Sequence, residues 1–442
     1  MKETIIRSAI FTFADKLSGF NIIPRVKQLV DSEKLSNIDR EELQLRKLKK
    51  LLIHSQKTVP YYRDLFKRLN IYPEKPDSLD ILREIPILKK TQIKKCPEIF
   101  LSELFKNKQL FWGQTGGSTG QPLSYALDPN CRVQVRAGFY RAMTWVGWKP
   151  GDSIVSFWGR PIIKDFRSSV FDKLKSFVLN YTEIDAHILD EKSLYHYTNI
   201  LKRKSPKIVI GYASTLNLLA DFIQQNNVNL ENDSIDGVFS TAEMLLDPMK
   251  SNIEKAFNTK VFNSYGASEI QAIADTCHNG NMHIHSERVI LRNFENSLLV
   301  TDLDNYAMPL INYKLDDNGT IAKTNQCKCG RTLPVLENLV GRSNINILLP
   351  NGKIVHSEYF THLLEQLDIF KKYRVNCFQI HQFEDYRISI KLNSLSDLNE
   401  TDKLKMQKII QRDFSNNIQI DFEKLEILNS SSKFKFITSD LV

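Results

Sequence analysis

Thr115-Gly116-Gly117-Ser118-Thr119-Gly120-Gln121-Pro122 interleaves three glycines with three hydroxyl side chains. Glycine reaches the positive φ angles and close approaches that turn successive N–H groups toward phosphate oxygens, and the hydroxyls add donors of their own. The reading this supports is a loop that wraps a polyphosphate such as that of ATP. The same composition also marks ordinary polar turns. The stretch lacks the Gly-Lys-Ser/Thr ending of a Walker A loop, so a phosphate here is held by a different geometry.

Outward from this loop, short apolar and partly β-branched runs at 153–157, 207–211, 237–240 and 259–263 alternate with helical stretches. Such alternation predicts an α/β architecture with buried strands. Polar candidates follow the runs: Gly211-Tyr212, Thr241-Ala242-Glu243, and Tyr265 through Glu269. Ligands of α/β sheets bind beyond the carboxyl ends of strands, so position and chemistry agree. After Gly341 the texture changes. Residues 376–382 and 386–392 alternate like strands with one exposed face, 398–414 reads as a charged amphipathic helix, and Ile418, Ile420 and Phe422 alternate again. The expectation is a large N-terminal domain of mixed sheets and helices over 1–340 and a small C-terminal α+β domain over 341–442.

A chain of 442 residues suggests about two to three domains, and 42% hydrophobic residues suffice for a sizeable core. No run of about 18 apolar residues occurs, and Met1-Lys2-Glu3-Thr4-Ile5-Ile6-Arg7 lacks the apolar stretch of a signal peptide; the reading is a cytoplasmic protein without a transmembrane segment. The net charge of +9 comes from scattered lysines with only short clusters such as Lys47-Leu48-Lys49-Lys50 and Lys202-Arg203-Lys204. Without a basic tract interleaved with aromatics, anionic small substrates are favoured over nucleic acid. Residues 41–57 place Leu45, Leu48 and Leu52 on one helical face, which suits packing on the body and is compatible with peripheral membrane contact.

Six cysteines in a chain of this length argue against a disulfide framework. Cys277-x5-His283 is followed by Cys327-Lys328-Cys329-Gly330. Two sulfurs one residue apart can reach one ion, and Cys and His are the usual ligands of four-coordinate structural zinc. Buried free thiols are the competing reading, and His278 and His285 are competing imidazoles. Four protein ligands would leave the ion no open position, so it would clamp the core rather than catalyse. Gly-x-Ser-x-Gly, His-Glu-x-x-His and Gly-x-Gly-x-x-Gly are all missing, and Trp145, Trp148 and Trp158 read as core or pocket wall.

The motifs form an ordered series. After the loop at 115–122 comes Ser264-Tyr265-Gly266-Ala267-Ser268-Glu269, then Thr301-Asp302-Leu303, Met308-Pro309-Leu310-Ile311-Asn312-Tyr313 and Asp316-Asp317, then Gly341-Arg342-Ser343 and Ser432-Lys433-Phe434-Lys435-Phe436. Val59-Pro60-Tyr61-Tyr62-Arg63, Ile85-Pro86-Ile87-Leu88-Lys89-Lys90, Gly211-Tyr212-Ala213-Ser214 and Ser240-Thr241-Ala242-Glu243-Met244-Leu245 extend the series over nearly the whole chain. The set resembles the adenylate-forming superfamily of acyl-CoA synthetases and adenylation domains. Within it the set is most similar to the phenylacetate-CoA ligase family, in the branch associated with capsular polysaccharide biosynthesis.

That resemblance implies an ATP-dependent ligase that joins a carboxylic acid to AMP with loss of pyrophosphate and passes the acyl group to a thiol, with CoA as co-substrate. Thr115, Gly116, Gly117, Ser118, Thr119 and Gly120 would grip the β- and γ-phosphates, and Glu269 would be the Mg²⁺-associated carboxylate. Thr241, Ala242, Glu243, Tyr265, Gly266 and Ser268 match the nucleotide-site segments. Asp317 would hold the ribose hydroxyls, and Arg342 would stand near ribose and phosphates. Lys433 would be the catalytic lysine, carried by a lid that turns about a hinge at Asn344; Lys435, two residues on, is its competitor. The resemblance also favours Zn²⁺ on Cys277, His283, Cys327 and Cys329. Departures stand at Gln121 (family Lys), Asn312 (Arg), Asp316 and Ser432 (Gly), and Asn344 (Asp). Two further readings stay open: an amide-forming ligase with an amine acceptor, and a catalytically lapsed nucleotide-binding homologue. The acid pocket is expected between Trp145 and Tyr212, with Phe157, Trp158 and Arg160 in its wall.

Overall fold

The computed structural model describes residues 2–17, 20–114, 123–158, 179–186, 191–230, 234–295, 297–315, 317–322, 327–340, 347–350, 354–355, 360, 363–364, 367–375, 377–414, 418–425 and 437–441. Nine strands make its central sheet: β1 (Ile154–Trp158), β2 (Tyr181–Asp185), β3 (Ile208–Tyr212), β4 (Gly237–Thr241), β5 (Val261–Tyr265), β6 (Ala274–Thr276), β7 (Met282–Ile284), β8 (Asn318–Ile321) and β9 (Val335–Val340). Their order is β8-β9-β7-β6-β5-β4-β3-β1-β2. From β2 to β5 neighbours run parallel, and from β5 to β8 they run antiparallel.

The parallel half is the part carried by continuous apolar, β-branched sequence. Ile154, Val155, Ile208, Val209, Val238 and Val261 are all buried, as strands covered on both faces must be. Helices Ala213–Gln225 and Asp247–Phe257 connect β3 to β4 and β4 to β5. The strands reach one or two residues further than the apolar runs. Tyr212 pairs with Thr241, and Thr241 with Ser264, so Tyr212, Thr241 and Tyr265 are the last strand residues rather than the first loop residues. Tyrosine and threonine fit a pleated surface as well as valine does, and polarity alone does not end a strand.

Between the two crossover helices lies a polar seam. Asn252 Nδ2 donates to Asp221 Oδ1 and to Asn217 Oδ1, both at 2.9 Å, and burial pushes the Asp221 carboxyl up to about 6. The folded chain therefore binds this proton more tightly than the unfolded chain, whose carboxyl titrates near 3.8. Stability contributed here falls as pH rises from about 4 to about 6 and stays low above that window. Asp221→Asn is expected to remove that fall and to make the protein about 1–3 kcal/mol more stable at pH 8 relative to wild type, read by urea unfolding at pH 4.5 and pH 8. Unchanged relative stability at the two pH values would refute it.

The helix expected over 41–57 runs Asn37–Thr58, started by Ser36, whose Oγ accepts the Asp39 N–H at 3.1 Å. Leu48, Leu51 and Leu52 are fully buried against the body, so the leucine face is a packing face. No helix among the described residues is long and apolar enough to cross a membrane. Beyond residue 346 a four-stranded sheet appears in the order Ile420–Lys424, Ile388–Asn393, Cys377–Gln382, Ile437–Ser439. Helix Glu400–Asp413 buries Met406 and Ile410 in one apolar cluster with Ile380, Ile388, Ile390 and Ile420 of these strands. The expected one-sided exposure is only partly realised. Ser389 is buried and donates to Glu423 Oε1 at 2.6 Å, because the neighbouring strand supplies a polar partner.

Candidate functional site and metal cluster

β1, β3, β4 and β5 end within one residue of one another, and their last residues Trp158, Tyr212, Thr241 and Tyr265 lie at the same end of the sheet. The Trp158 and Tyr212 rings stack with centroids 4.9 Å apart. Phe157, expected beside them, is fully buried in the core instead, because it alternates to the opposite face of β1. At Gly211 a Cβ would sit 3.0 Å from Leu216 Cγ, which leaves room for glycine where β3 turns into its helix. The next turn, after β4, passes through Ala242 at φ +66°. It aims Glu243 back so that Oε2 accepts the Ser214 N–H at 2.8 Å. The carboxylate thereby meets the exposed N–H groups and positive end of helix Ala213–Gln225.

After β5 the chain doubles back. Ala267 and Ile270 exchange backbone hydrogen bonds, and the Ile273 N–H returns to the Tyr265 carbonyl at 2.9 Å. A Cβ on Gly266 would lie 3.1 Å from the Ala272 nitrogen, so the close approach of the two arms depends on glycine. This reversal brings Glu269 inward, 6% exposed, where Oε1 accepts the Tyr313 hydroxyl at 2.7 Å. The Tyr265 hydroxyl donates to Asp317 Oδ2 at 2.9 Å. Burial first, then the charges of Asp317 and Glu269, hold the Tyr265 hydroxyl well above the usual phenol range, so it remains a donor. Ser268 keeps the turn closed by accepting the Gln271 amide at its carbonyl, 3.2 Å away.

Tyr265, Gly266, Ser268, Glu269 and Asp317 therefore belong to one constellation, with Thr241, Ala242 and Glu243 on the adjoining strand end. Thr115 to Gly120, Arg342, Asn344 and Lys433 lie outside the described residues, as do Gln121, Asp316, Ser432, Lys435 and Arg160. The strands flanking the first of these, Phe111–Gln114 and Ser124–Leu127, pair antiparallel with Gln114 opposite Ser124. Tyr313, a landmark in the motif series, joins this constellation through a partner 44 residues away.

Asn312 takes on a different meaning in three dimensions. Its backbone is left-handed at φ +54°, a conformation asparagine tolerates better than most side chains. Its Nδ2 donates to the Ile85 carbonyl at 2.6 Å, its N–H to Thr301 Oγ1 at 2.9 Å, and Oδ1 accepts Arg292 Nη2 at 3.1 Å. A side chain that reads as a lost charge is a buried joint that sets the path into Tyr313.

The Cys277, His283, Cys327 and Cys329 ligand atoms all lie within 4.8 Å of one another. Cys277 Sγ and Cys327 Sγ are 3.7 Å apart; two sulfurs bound tetrahedrally at about 2.3 Å would be about 3.8 Å apart. Nδ1 of His283 faces the Leu333 carbonyl at 3.1 Å and Nε2 faces Cys329 Sγ at 3.2 Å. The backbone thus fixes the tautomer whose lone pair points at the sulfurs. Burial pushes the His283 imidazole down to about 4, so it is neutral, the form that binds a metal. Turns closed by Gly280 N–H to Cys277 O and Gly330 N–H to Cys327 O, both with glycine at positive φ, present the sulfurs. The donor set fits zinc. Of the competing imidazoles, His285 pairs with Asp275 at 2.8 Å and His278 sits in an exposed turn.

An N-terminal strap backs this cluster. Trp145, edge-on to His283 at 5.8 Å, donates its indole N–H to Glu33 Oε1 at 2.6 Å, and Arg331 Nε donates to Glu33 Oε2 at 2.9 Å. Arg141 Nη1 and Ser32 Oγ meet Glu287 Oε1 at 2.9 and 2.6 Å. Arg40 reaches Thr332 Oγ1 at 2.7 Å. These charges are buried, and removing one partner would strand the other away from water.

No family model matches the chain. Among curated proteins, it is 26% identical over 315 residues to protein CapK of Staphylococcus aureus, covering 69% of this chain and 68% of that protein. It is 20% identical over 360 residues to the phenylacetate-coenzyme A ligase of Thermus thermophilus, covering 77% and 79%. Among solved structures, a 2-hydroxyisobutyryl-CoA ligase in the postadenylation state superposes with a TM-score of 0.72 at 16% identity, over 92% of this chain and 91% of that one. The same ligase with 2-HIB-AMP and CoA in the thioesterification state gives 0.60. The chain is thus similar in sequence to CapK and to phenylacetate-coenzyme A ligase, and it shares the fold of the solved CoA ligase.

Proposed function

We propose that this protein activates a carboxylic acid with ATP and transfers the acyl group to CoA, in the supply of a surface polysaccharide. The observation that carries the reading is the paired constellation at the strand ends: Tyr265 bound to Asp317 and Tyr313 bound to Glu269, each at hydrogen-bonding distance. The names of its relatives support the acid and CoA substrates, and CapK supports the capsule setting. In the first step a substrate carboxylate oxygen bonds to the α-phosphorus and the bond to pyrophosphate breaks. In the second the CoA sulfur bonds to the acyl carbon and AMP leaves. Positioning and neutralisation of phosphate charge are what a protein can contribute to such steps.

The residues divide that work. Asp317, oriented through Oδ2 by Tyr265, accepts the ribose hydroxyls, and Thr241 to Glu243 line the base. Glu269 is a hard oxygen ligand, and Mg²⁺ bound there would offset phosphate charge. Tyr313 holds that carboxylate in one rotamer. Thr115 to Gly120 supply N–H groups and hydroxyls to the departing pyrophosphate, Arg342 adds charge beside ribose and phosphates, and Lys433 bridges the substrate carboxylate and the α-phosphate. The C-terminal domain, 341–442, turns about Asn344 between the two steps. Zn²⁺ on Cys277, His283, Cys327 and Cys329 holds the antiparallel half of the sheet together.

The test is exchange of labelled pyrophosphate into ATP across aryl, fatty, hydroxy and amino acids, followed by thioester formation when CoA is added. Exchange with one acid class and a CoA-dependent thioester are expected; ATP binding with no exchange across the panel would sink the proposal. Tyr265→Phe removes one hydrogen bond to a charged group and is expected to raise the KM for ATP about 10-fold or more, with the melting temperature little changed. An unaltered KM would separate Asp317 from the nucleotide.

A further inference from the structure

A cavity of about 260 Å³ shares no lining residue with the strand-end constellation. Leu79, Ile290, Ile321 and Pro334 give it an apolar wall, and Arg83 and Arg292 stand at it with Asp80. Asp80 is already engaged, with Oδ1 3.0 Å from Arg83 Nε. Arg292 uses Nη2 on Asn312. Its Nη1 is buried and has no hydrogen-bond partner among the described residues. A buried, unpaired guanidinium N–H is costly, and the natural remedy is an acceptor oxygen. Two guanidiniums and one carboxylate leave a charge of +1 at the cavity. Burial first, and then repulsion from Arg83, pull the Arg292 pKa below the usual guanidinium value, the direction that an added anion would reverse.

We infer that this cavity binds a small monocarboxylate with an apolar body, its carboxylate on Arg292 and Arg83 and its body on the Leu79, Ile290, Ile321 and Pro334 wall. The volume is below the roughly 300–1,000 Å³ of pockets for drug-sized ligands, which suits a small acid better than a nucleotide. A guanidinium fork matches a carboxylate in geometry as well as charge. Inorganic sulfate would leave the apolar wall uncovered. The site is a second one for acids, apart from the site where the acid is activated. Arg292 is joined to the strand-end constellation through Asn312, the residue before Tyr313.

The test is calorimetric titration of the full-length protein with benzoate at fixed ionic strength, without ATP, beside the neutral isostere benzamide and sodium sulfate. Saturable benzoate binding is expected, weakened about 10–100-fold by Arg292→Gln and several-fold by Arg83→Gln, whose side chain is 78% exposed and carries little folding risk. Asp317→Ala, which alters the strand-end site, should leave the affinity where it was. No benzoate binding overturns the inference. So does equal binding of benzamide or sulfate, or an affinity that survives both arginine substitutions. Because no ATP is present, absence of adenylation activity would leave this result standing, and the reverse also holds.

Discussion

Lys433→Ala is expected to lower acid-dependent pyrophosphate exchange by about 10²–10³-fold, while Lys435→Ala changes it by only a few-fold. The argument is electrostatic. As the acid oxygen closes on the α-phosphorus, negative charge gathers on its oxygens, and with Gln121 in the place of a family lysine the stretch 115–122 brings no cationic side chain of its own to them. A lysine brought to that point acts only when the charge is there, so the loss should fall on kcat rather than on the KM for ATP. Lys433 and Lys435 lie two residues apart and would share one side of an extended strand. The pair of substitutions therefore distinguishes a positioned cation from general positive charge. Equal losses in both variants, or none in either, would remove Lys433 from the mechanism.

Metal content and stability should fall together when the cysteine cluster is broken. Protein prepared with zinc is expected to carry about one equivalent per chain. Cys327→Ser should lose it and unfold at a melting temperature lower by several degrees or more. Three sulfurs from two distant turns and an imidazole from β7 converge on one point, and in the absence of a cation three thiols and an imidazole are crowded together beneath Trp145. Structural zinc returns binding energy directly as folding energy. Cys96→Ser, at an exposed and distant cysteine, is the control and should change neither quantity. A wild-type protein with no metal by elemental analysis, and with Cys327→Ser as stable as wild type, would mean that the cluster is only a packing of thiols.

Much of this was open to inspection in the residues, and what was not has identifiable causes. Continuous runs such as Ile208-Val209-Ile210 announce buried parallel strands because both faces are covered. Ala274–Thr276 and Met282–Ile284 are three residues each, carry aspartate and histidine inward, and have no period to detect. Tyr265 and Asp317 were separately recognisable, yet nothing in a sequence joins a hydroxyl to a carboxylate 52 residues away. The metal spacing was a modest signal alone, because the third and fourth ligands arrive through the pairing of β7 with β9, a long-range contact. Asn312 looked like a deficit since motif comparison counts charges and not backbone angles. Thr115 to Gly120, Asn344 and Lys433 fall among residues outside those described, and the roles proposed for them rest on the motifs.

The strap of Glu33, Arg40 and Ser32 also carries a consequence for how the chain comes to be folded. Glu33 finds Arg331 298 residues later, and at about 5–20 residues per second synthesis takes about 15–60 s to cover that distance. Through the later part of that interval the N-terminal helices can pack on helix Pro129–Thr144, where Trp145 reaches Glu33, but the Arg331 and Thr332 partners of Glu33 and Arg40 are still missing, and loop closure over such a span is slow and entropically expensive. The first forty residues are thus made early and receive their last polar partners late. A nascent chain stalled before residue 331 should present them to proteases, and one released after 340 should protect them.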